Sequence, residues 1–246
     1  MMGTTHAMTG TLAFGGASLV FAFDLVKLPI MPSVSDWLIF AWLTTAAALF
    51  PDIDHHKATV TRSFGGLTRI VRWVLIKPFF GKHREGTHSI FFAALVGFGA
   101  WLLIENLHLL GCKIGLLILL SIVSSSLIRL FKIQGWKDDV APIPVWAFLI
   151  FFTDIDLKIV PWALALGCLT HVIGDCLTDR GCPILWPVSK QKITLGLFTT
   201  GGKTIKTPKG QPTKTRATGE KITKIVCVAG YLFVVAAHLG NWTGLI

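Results

Sequence analysis

The sequence predicts an all-α, polytopic membrane protein of about seven helices with two longer cytoplasmic loops, and three observations carry that prediction. Hydrophobic residues fill 52% of the 246 positions and charged residues 15%, with a mean hydropathy of +0.65. A soluble domain is nearer about 45–50% apolar and about 25% charged, so this chain uses lipid as part of its solvent; disorder, collagen and coiled coil are excluded by the same numbers. Apolar stretches recur at 7–23, 37–50, 89–110, 114–131, 140–152, 159–175 and 225–245, and nearly all the charge lies between them. With the N-terminus placed inside, twenty of the 23 Lys and Arg residues fall on the inner side, and only Lys27, Lys113 and Lys158 fall outside. Cations are retained on the cytoplasmic side during insertion, so the bias sets the orientation. It also accounts for the formal net charge of +10 without nucleic acid.

The first stretch lacks a basic leader region and a convincing small-residue cleavage site, so no cleavable signal peptide is expected and Met1 stays. The second is stopped by Pro51. The loop 51–88 carries seven basic residues, and within it Ile70 to Phe80 mixes Arg72, Trp73 and Lys77 with apolar residues, the pattern of an amphipathic helix in the membrane interface. Thr87 is suited to cap the third helix, which begins at Ser89. The fourth and fifth stretches flank the basic turn 129–139, and the fifth and sixth flank Asp154-Ile155-Asp156 on the outer side. The second cytoplasmic loop, 187–224, is rich in Thr, Lys and Gly, and the weak alternation from Thr194 to Thr200 fits a hairpin or flap. Three stretches are shorter than the about 20 residues of a straight span, so tilted or re-entrant helices are expected and the count is seven give or take one. The five cysteines show no zinc-knuckle spacing and are expected to be reduced packing residues. Residues 1–246 read as a single membrane-embedded domain.

Histidine and aspartate beside membrane spans are costly to desolvate and default to functional candidates. Four clusters qualify. Thr5-His6 opens the first stretch, and Phe50-Pro51-Asp52-Ile53-Asp54-His55-His56 ends the second. His83-Arg84-Glu85-Gly86-Thr87-His88-Ser89 precedes the third, and His171 with Asp175, followed by Thr178-Asp179-Arg180-Gly181, closes the sixth. The sidedness argument, made from Lys and Arg alone, puts all four on the cytoplasmic side. His171 and Asp175 are four apart and share a helical face, with about 6 Å between Cβ atoms, as a metal clamp requires. Asp52 and Asp54 are expected on the same side of an extended strand or turn. Imidazoles with carboxylates suit zinc, manganese or iron, and two such ions about 3.5–4 Å apart can activate a water and clamp a phosphate. His6, Asp52 or Asp54, His83, His88, His171 and Asp175 supply ligands for one or two divalent ions, with Arg84 beside them for a substrate oxyanion. Each cluster has a structural reading as well: an interfacial His6, an Asx turn at Asp52 and Asp54, headgroup contacts at His83 and His88, and a buried hydrogen bond between His171 and Asp175. Asp154 and Asp156 repeat the Asp-Ile-Asp pattern without histidine and read as a solvated loop. His55, His56, His108 and His238 read as surface or packing residues, His55 remaining a candidate by proximity.

The ordered set of Thr-His, Phe-Pro-Asp-Ile-Asp-His, His-Arg-Glu-Gly-Thr-His-Ser and His171 to Asp175 with Thr178 and Gly181, followed by Ile184-Leu185-Trp186-Pro187, resembles the YdjM-type family of bacterial inner-membrane proteins described as metal-dependent hydrolases. The resemblance runs from His6 to about Pro187. It implies a helical membrane protein distantly similar to zinc-dependent phospholipase C and related single-strand nucleases. By motif it makes His6, Asp52, His83, His88, His171 and Asp175 ligands, and Asp54 a ligand or a water-orienting base. It also carries an association with the repressor of the DNA-damage response. After Pro187 the chain departs from any pattern of the family, and Glu220 is the one acid there within conceivable reach of the site.

These readings converge on an inner-membrane, metal-dependent hydrolase acting on a phosphoester at the cytoplasmic membrane surface, with Asp54 and Arg84 as catalytic residues, a divalent metal, zinc first and manganese or iron next, as cofactor, and membrane lipids as neighbours. Lipid phosphodiesters are the natural substrate by location. Two other classes compete. A non-catalytic metal transporter or sensor predicts ligands near the bilayer midplane and a path outward; a membrane anchor predicts basic loops that bind a regulatory partner. Nucleic acid is disfavoured, because loops 51–88 and 187–224 lack interleaved aromatics or a recognisable binding fold.

Overall fold

A computed structural model describes residues 3–22, 34–64, 66–130, 139–153, 155–196, 223–234 and 236. Among the described residues the regular structure is all helical: α1 (Gly3–Ala22), α2 (Val34–Ala47), three short helices α3 (Thr59–Arg62), α4 (Gly66–Val71) and α5 (Lys77–Phe80), then α6 (Ile90–Glu105), α7 (Leu110–Leu130), α8 (Pro142–Phe152), α9 (Val160–Cys176) and α10 (Thr223–Val234). A π-helical stretch, Arg72–Ile76, joins α4 to α5, so the apolar run from Ile70 to Phe80 is helical as its pattern predicts. Helix falls within each predicted apolar stretch among the described residues, the last of them described only to 234 and at 236. Among the described residues, α7 alone is both long and apolar enough to cross a bilayer by itself, and α6, α8, α9 and α10 are apolar but shorter.

The bundle is built round α2 and α9. Helix α9 packs on α6 and α2, and α1 packs on α2 and α9. Two glycines set how close these axes come. A Cβ on Gly167 of α9 would stand 2.5 Å from the Thr44 carbonyl oxygen and 2.6 Å from Ala47 Cβ; one on Gly10 of α1 would stand 2.8 Å from Ala48 Cβ. Both helices therefore press their backbones against the same turn of α2, the close packing that small residues permit. His6 lies one turn from Gly10 and His171 one turn from Gly167, so this contact brings two imidazoles to the end of α2. Leu43, Leu49, Leu116, Leu120 and Leu164 are fully buried around it, while Leu38, Phe98, Trp101, Phe148 and Trp162 stand exposed on the outside.

Two local details are settled, and one of them corrects an expectation. Residues Phe50–Asp54 form a 3-10 turn rather than an extended segment. The two carboxylates still reach one site, as expected of a shared side: each offers an oxygen within 4.8 Å of the other, and each lies 3.5 Å from the His88 ring. Ser89, not Thr87, caps α6: its hydroxyl accepts from the Phe92 amide at 3.2 Å, because the Thr87 hydroxyl is committed to Asp54 at 2.6 Å. Lys27, Asp154, His238, Glu220 and the greater part of the 187–224 loop, with the second half of the Thr194–Thr200 hairpin, lie outside the described residues. Asp156 is exposed and pairs with Lys158 at 3.4 Å, as a solvated loop would have it.

Candidate metal centre

Four separate elements deliver the histidines and carboxylates. His6 comes from the first turns of α1, Asp52 and Asp54 from the 3-10 turn that Pro51 starts after α2, His83 and His88 from the loop before α6, and His171 and Asp175 from successive turns of α9. They meet. Among the described residues, Asp52, Asp54, His83 and His88 form one group and His6, His171 and Asp175 another, with potential ligand atoms in each within 4.8 Å of one another. His88 joins the two, since its Nε2 is 3.5 Å from Asp52 Oδ1, 3.5 Å from Asp175 Oδ2 and 3.2 Å from His171 Nε2. His171 Nε2 is in turn 3.7 Å from Asp52 Oδ1.

The outward hydrogen bonds decide which way the imidazole protons face. His171 Nδ1 lies 2.7 Å from the Ala48 carbonyl oxygen, which only accepts, so Nδ1 carries the proton and Nε2 turns its lone pair inward. Thr87 donates its hydroxyl hydrogen to Asp54 Oδ2, leaving its oxygen to accept from His88 Nδ1 at 3.0 Å. His88 Nε2 then also faces inward. Two buried imidazole lone pairs opposed at 3.2 Å, with two carboxylate oxygens beside them, require a proton or a metal cation between them. His6 adds a further donor: its ring stacks on His171 with centroids 3.8 Å apart, its Nε2 is 3.4 Å from Asp175 Oδ1, and its buried Nδ1 makes no hydrogen bond. The donor set, imidazole nitrogens with carboxylate oxygens, fits a divalent transition metal. These side chains can hold a metal ion.

The family model of the YdjM inner membrane protein matches residues 1–242. The chain belongs to that family. No curated protein and no solved structure matches it.

In this YdjM-family chain the rim of the centre is as ordered as its floor. Asp54 is nearly enclosed: Oδ1 pairs with His83 Nδ1 at 2.8 Å, and Oδ2 receives Thr87 and, at 3.3 Å, the Arg84 amide. Burial opposes its ionisation, yet the hydrogen bonds of His83 and His88 outweigh that and hold the carboxyl well below the usual range. Asp52 is lowered likewise, with burial opposed by the neighbouring imidazoles of His171 and His88. For His88 burial disfavours the charged ring, but the carboxylates of Asp52 and Asp54 prevail and push it up to about 10. That shift favours a proton on the His88 ring, in competition with a metal cation at the same place.

Arg84 has φ +65°, in the left-handed region, which costs a non-glycine residue of order 1 kcal/mol. That backbone lets its amide face Asp54 while its buried guanidinium reaches the end of α9, donating to Thr178 Oγ1 at 3.1 Å and Asp175 Oδ1 at 3.0 Å. His83 is the most open member, one-third exposed, with its ring against His55 at 4.6 Å. His55 therefore lies at the mouth and His108 is exposed elsewhere. The positioning roles of Thr87, Thr178 and the Ala48 carbonyl carry no mark in a list of metal-binding residue types. The spacing of Cys176 and Cys182 did not announce their contact either: both are free and buried, with sulfurs 2.8 Å apart.

Proposed function

We propose that this protein is a polytopic inner-membrane hydrolase, its N-terminus cytoplasmic, that cleaves a phosphoester at the cytoplasmic membrane surface with one or two divalent metals. The observation that carries the reading is the inward-facing pair His88 Nε2 and His171 Nε2 with Asp52 and Asp175 beside them. The other apolar helices cross or dip into the bilayer with α7. Their exposed phenylalanines and tryptophans, over a core that buries Ser121, Ser124, Ser125 and Ser126, are the distribution that lipid contact favours.

His6, His88, His171, Asp52 and Asp175 would hold the metal, with His83 extending the set toward a second ion. A divalent cation there, zinc or else manganese or iron, supplies Lewis acidity that acidifies a water and polarises a phosphoryl oxygen. The chain's own residues do the rest. Asp54 fixes His83 and His88, and that engagement makes it an orienting group ahead of a base. Arg84 keeps a cationic guanidinium at the edge of the centre, where it neutralises charge that develops on a phosphoryl oxygen. Thr178 and Asp175 hold that guanidinium in place. A lipid phosphodiester is the substrate class that the location favours, since headgroups lie at this depth.

Phosphodiester hydrolysis by the purified chain in bilayer discs, loaded with zinc or manganese, tests the reading. Asp175→Asn should lower the rate by more than the roughly 10–100-fold that loss of an outer hydrogen-bond partner costs, with membrane insertion unchanged. A variant that keeps its activity removes Asp175 from the mechanism.

A further inference from the structure

The segment from α4 through α5 leaves six large apolar side chains, Leu67, Ile70, Trp73, Val74, Leu75 and Phe79, between 46% and 69% exposed, and buries only Thr68 and Ile76 well. It is too short to span. Cations are interleaved with the apolar residues: Lys77 Nζ stands 3.8 Å over the Trp73 ring, Arg72 approaches the same ring from 5.5 Å, and Arg69 is exposed one turn before. Indole and long basic side chains with apolar stems are the residues that settle at a membrane–water boundary, where the stem is buried and the charge meets phosphate. The apolar surface is also continuous with that of α7, which is long enough to span alone, because Leu67 shares a groove with Leu117 and Ile118 of α7, and Ile118 is itself exposed.

We infer that residues 66–80 form an amphipathic collar seated in the anionic bilayer interface beside the metal centre. The partner is phospholipid bearing a negative headgroup, the apolar side chains reaching the acyl boundary and Arg69, Arg72 and Lys77 the phosphates. The collar is tied to the centre: Arg72 Nε donates to the Asp54 carbonyl oxygen at 2.8 Å, and the chain passes from Phe80 within three residues to His83. Seating the collar therefore places the mouth of the centre at headgroup depth. The inference rests on the chain being embedded in a bilayer and not on hydrolysis.

A nitroxide label at Val74→Cys, in a Cys112→Ser background and in the full chain reconstituted into bilayer discs, measures it. Discs of phosphatidylcholine are compared with discs containing phosphatidylglycerol, and collision with oxygen is compared with collision with a water-soluble nickel chelate. The collar predicts a label accessible to oxygen and shielded from nickel, about 5–10 Å below the headgroup boundary, and deeper with the anionic lipid. Arg69→Glu with Lys77→Glu should abolish the dependence on anionic lipid without changing metal content. A label freely reached by nickel overturns the inference. So does one shielded from both reagents, which would mean that protein covers the face, and equal depth in the two lipids would overturn the anionic partner.

Discussion

His88 is the side chain on which the centre turns, because it touches members of both groups and its proton competes directly with a metal. Its ring is pushed up to about 10 by Asp52 and Asp54 against the cost of burial. Below that pH the metal-free protein keeps a proton that a cation must displace, so affinity should rise with pH, by about tenfold per unit for each proton released. Metal titration at pH 6, 7 and 8 reads this directly, and a flat profile would mean that His88 is not displaced. Asp54 acts through that ring. Asp54→Asn, which keeps the shape but weakens the hold on His83 and His88, should cost roughly 10–100-fold in metal affinity while the helical content is unchanged by circular dichroism. At this scale much was legible in the sequence, since His171 and Asp175 are polar groups set in an apolar stretch, His6 and His88 stand immediately before one, and such groups need partners. The Ala48 carbonyl was not legible, because a backbone acceptor has no residue type to announce it.

Among the elements, the contact of α1 and α9 with the last turn of α2 does most to build the site. Gly167→Ala would place a methyl 2.5 Å from the Thr44 carbonyl oxygen. Forcing the helices apart should cost about 1–3 kcal/mol and lengthen the His171 to Ala48 bond one turn away. A lowered unfolding temperature in detergent, together with weaker metal binding, is the expected outcome; an unchanged protein would show that α9 can shift without cost to the centre. The helices were legible as apolar stretches with punctuation at Pro51 and Ser89. The 3-10 turn was not, because Asp-Ile-Asp after a proline suits a strand, an Asx turn or a 3-10 turn equally until His88 is placed against it. The cap of α6 reads two residues early from the sequence for a related reason: Thr87 has good capping chemistry, but a carboxylate 33 positions away in sequence claims it.

For the whole molecule, the distribution of Lys and Arg predicts the same side of the membrane for all four polar clusters, and the fold brings members of all four together in two groups that His88 joins. Sidedness could not say that they touch, because adjacency depends on how α1, α2, α6 and α9 cross, and that is fixed by close packing at Gly10 and Gly167 rather than by charge. The YdjM family match covers residues 1–242, and the candidate ligands are drawn from between His6 and Asp175 within it. The centre as a metal site is the claim on which the proposed chemistry depends. Elemental analysis of the purified, detergent-solubilised chain beside His88→Ala and Asp175→Asn tests it most directly. The account predicts about one or two equivalents of zinc, manganese or iron in the parent and a clear loss in both variants, which come from elements far apart in sequence. A folded parent that takes up no metal even when zinc and manganese are supplied would contradict it.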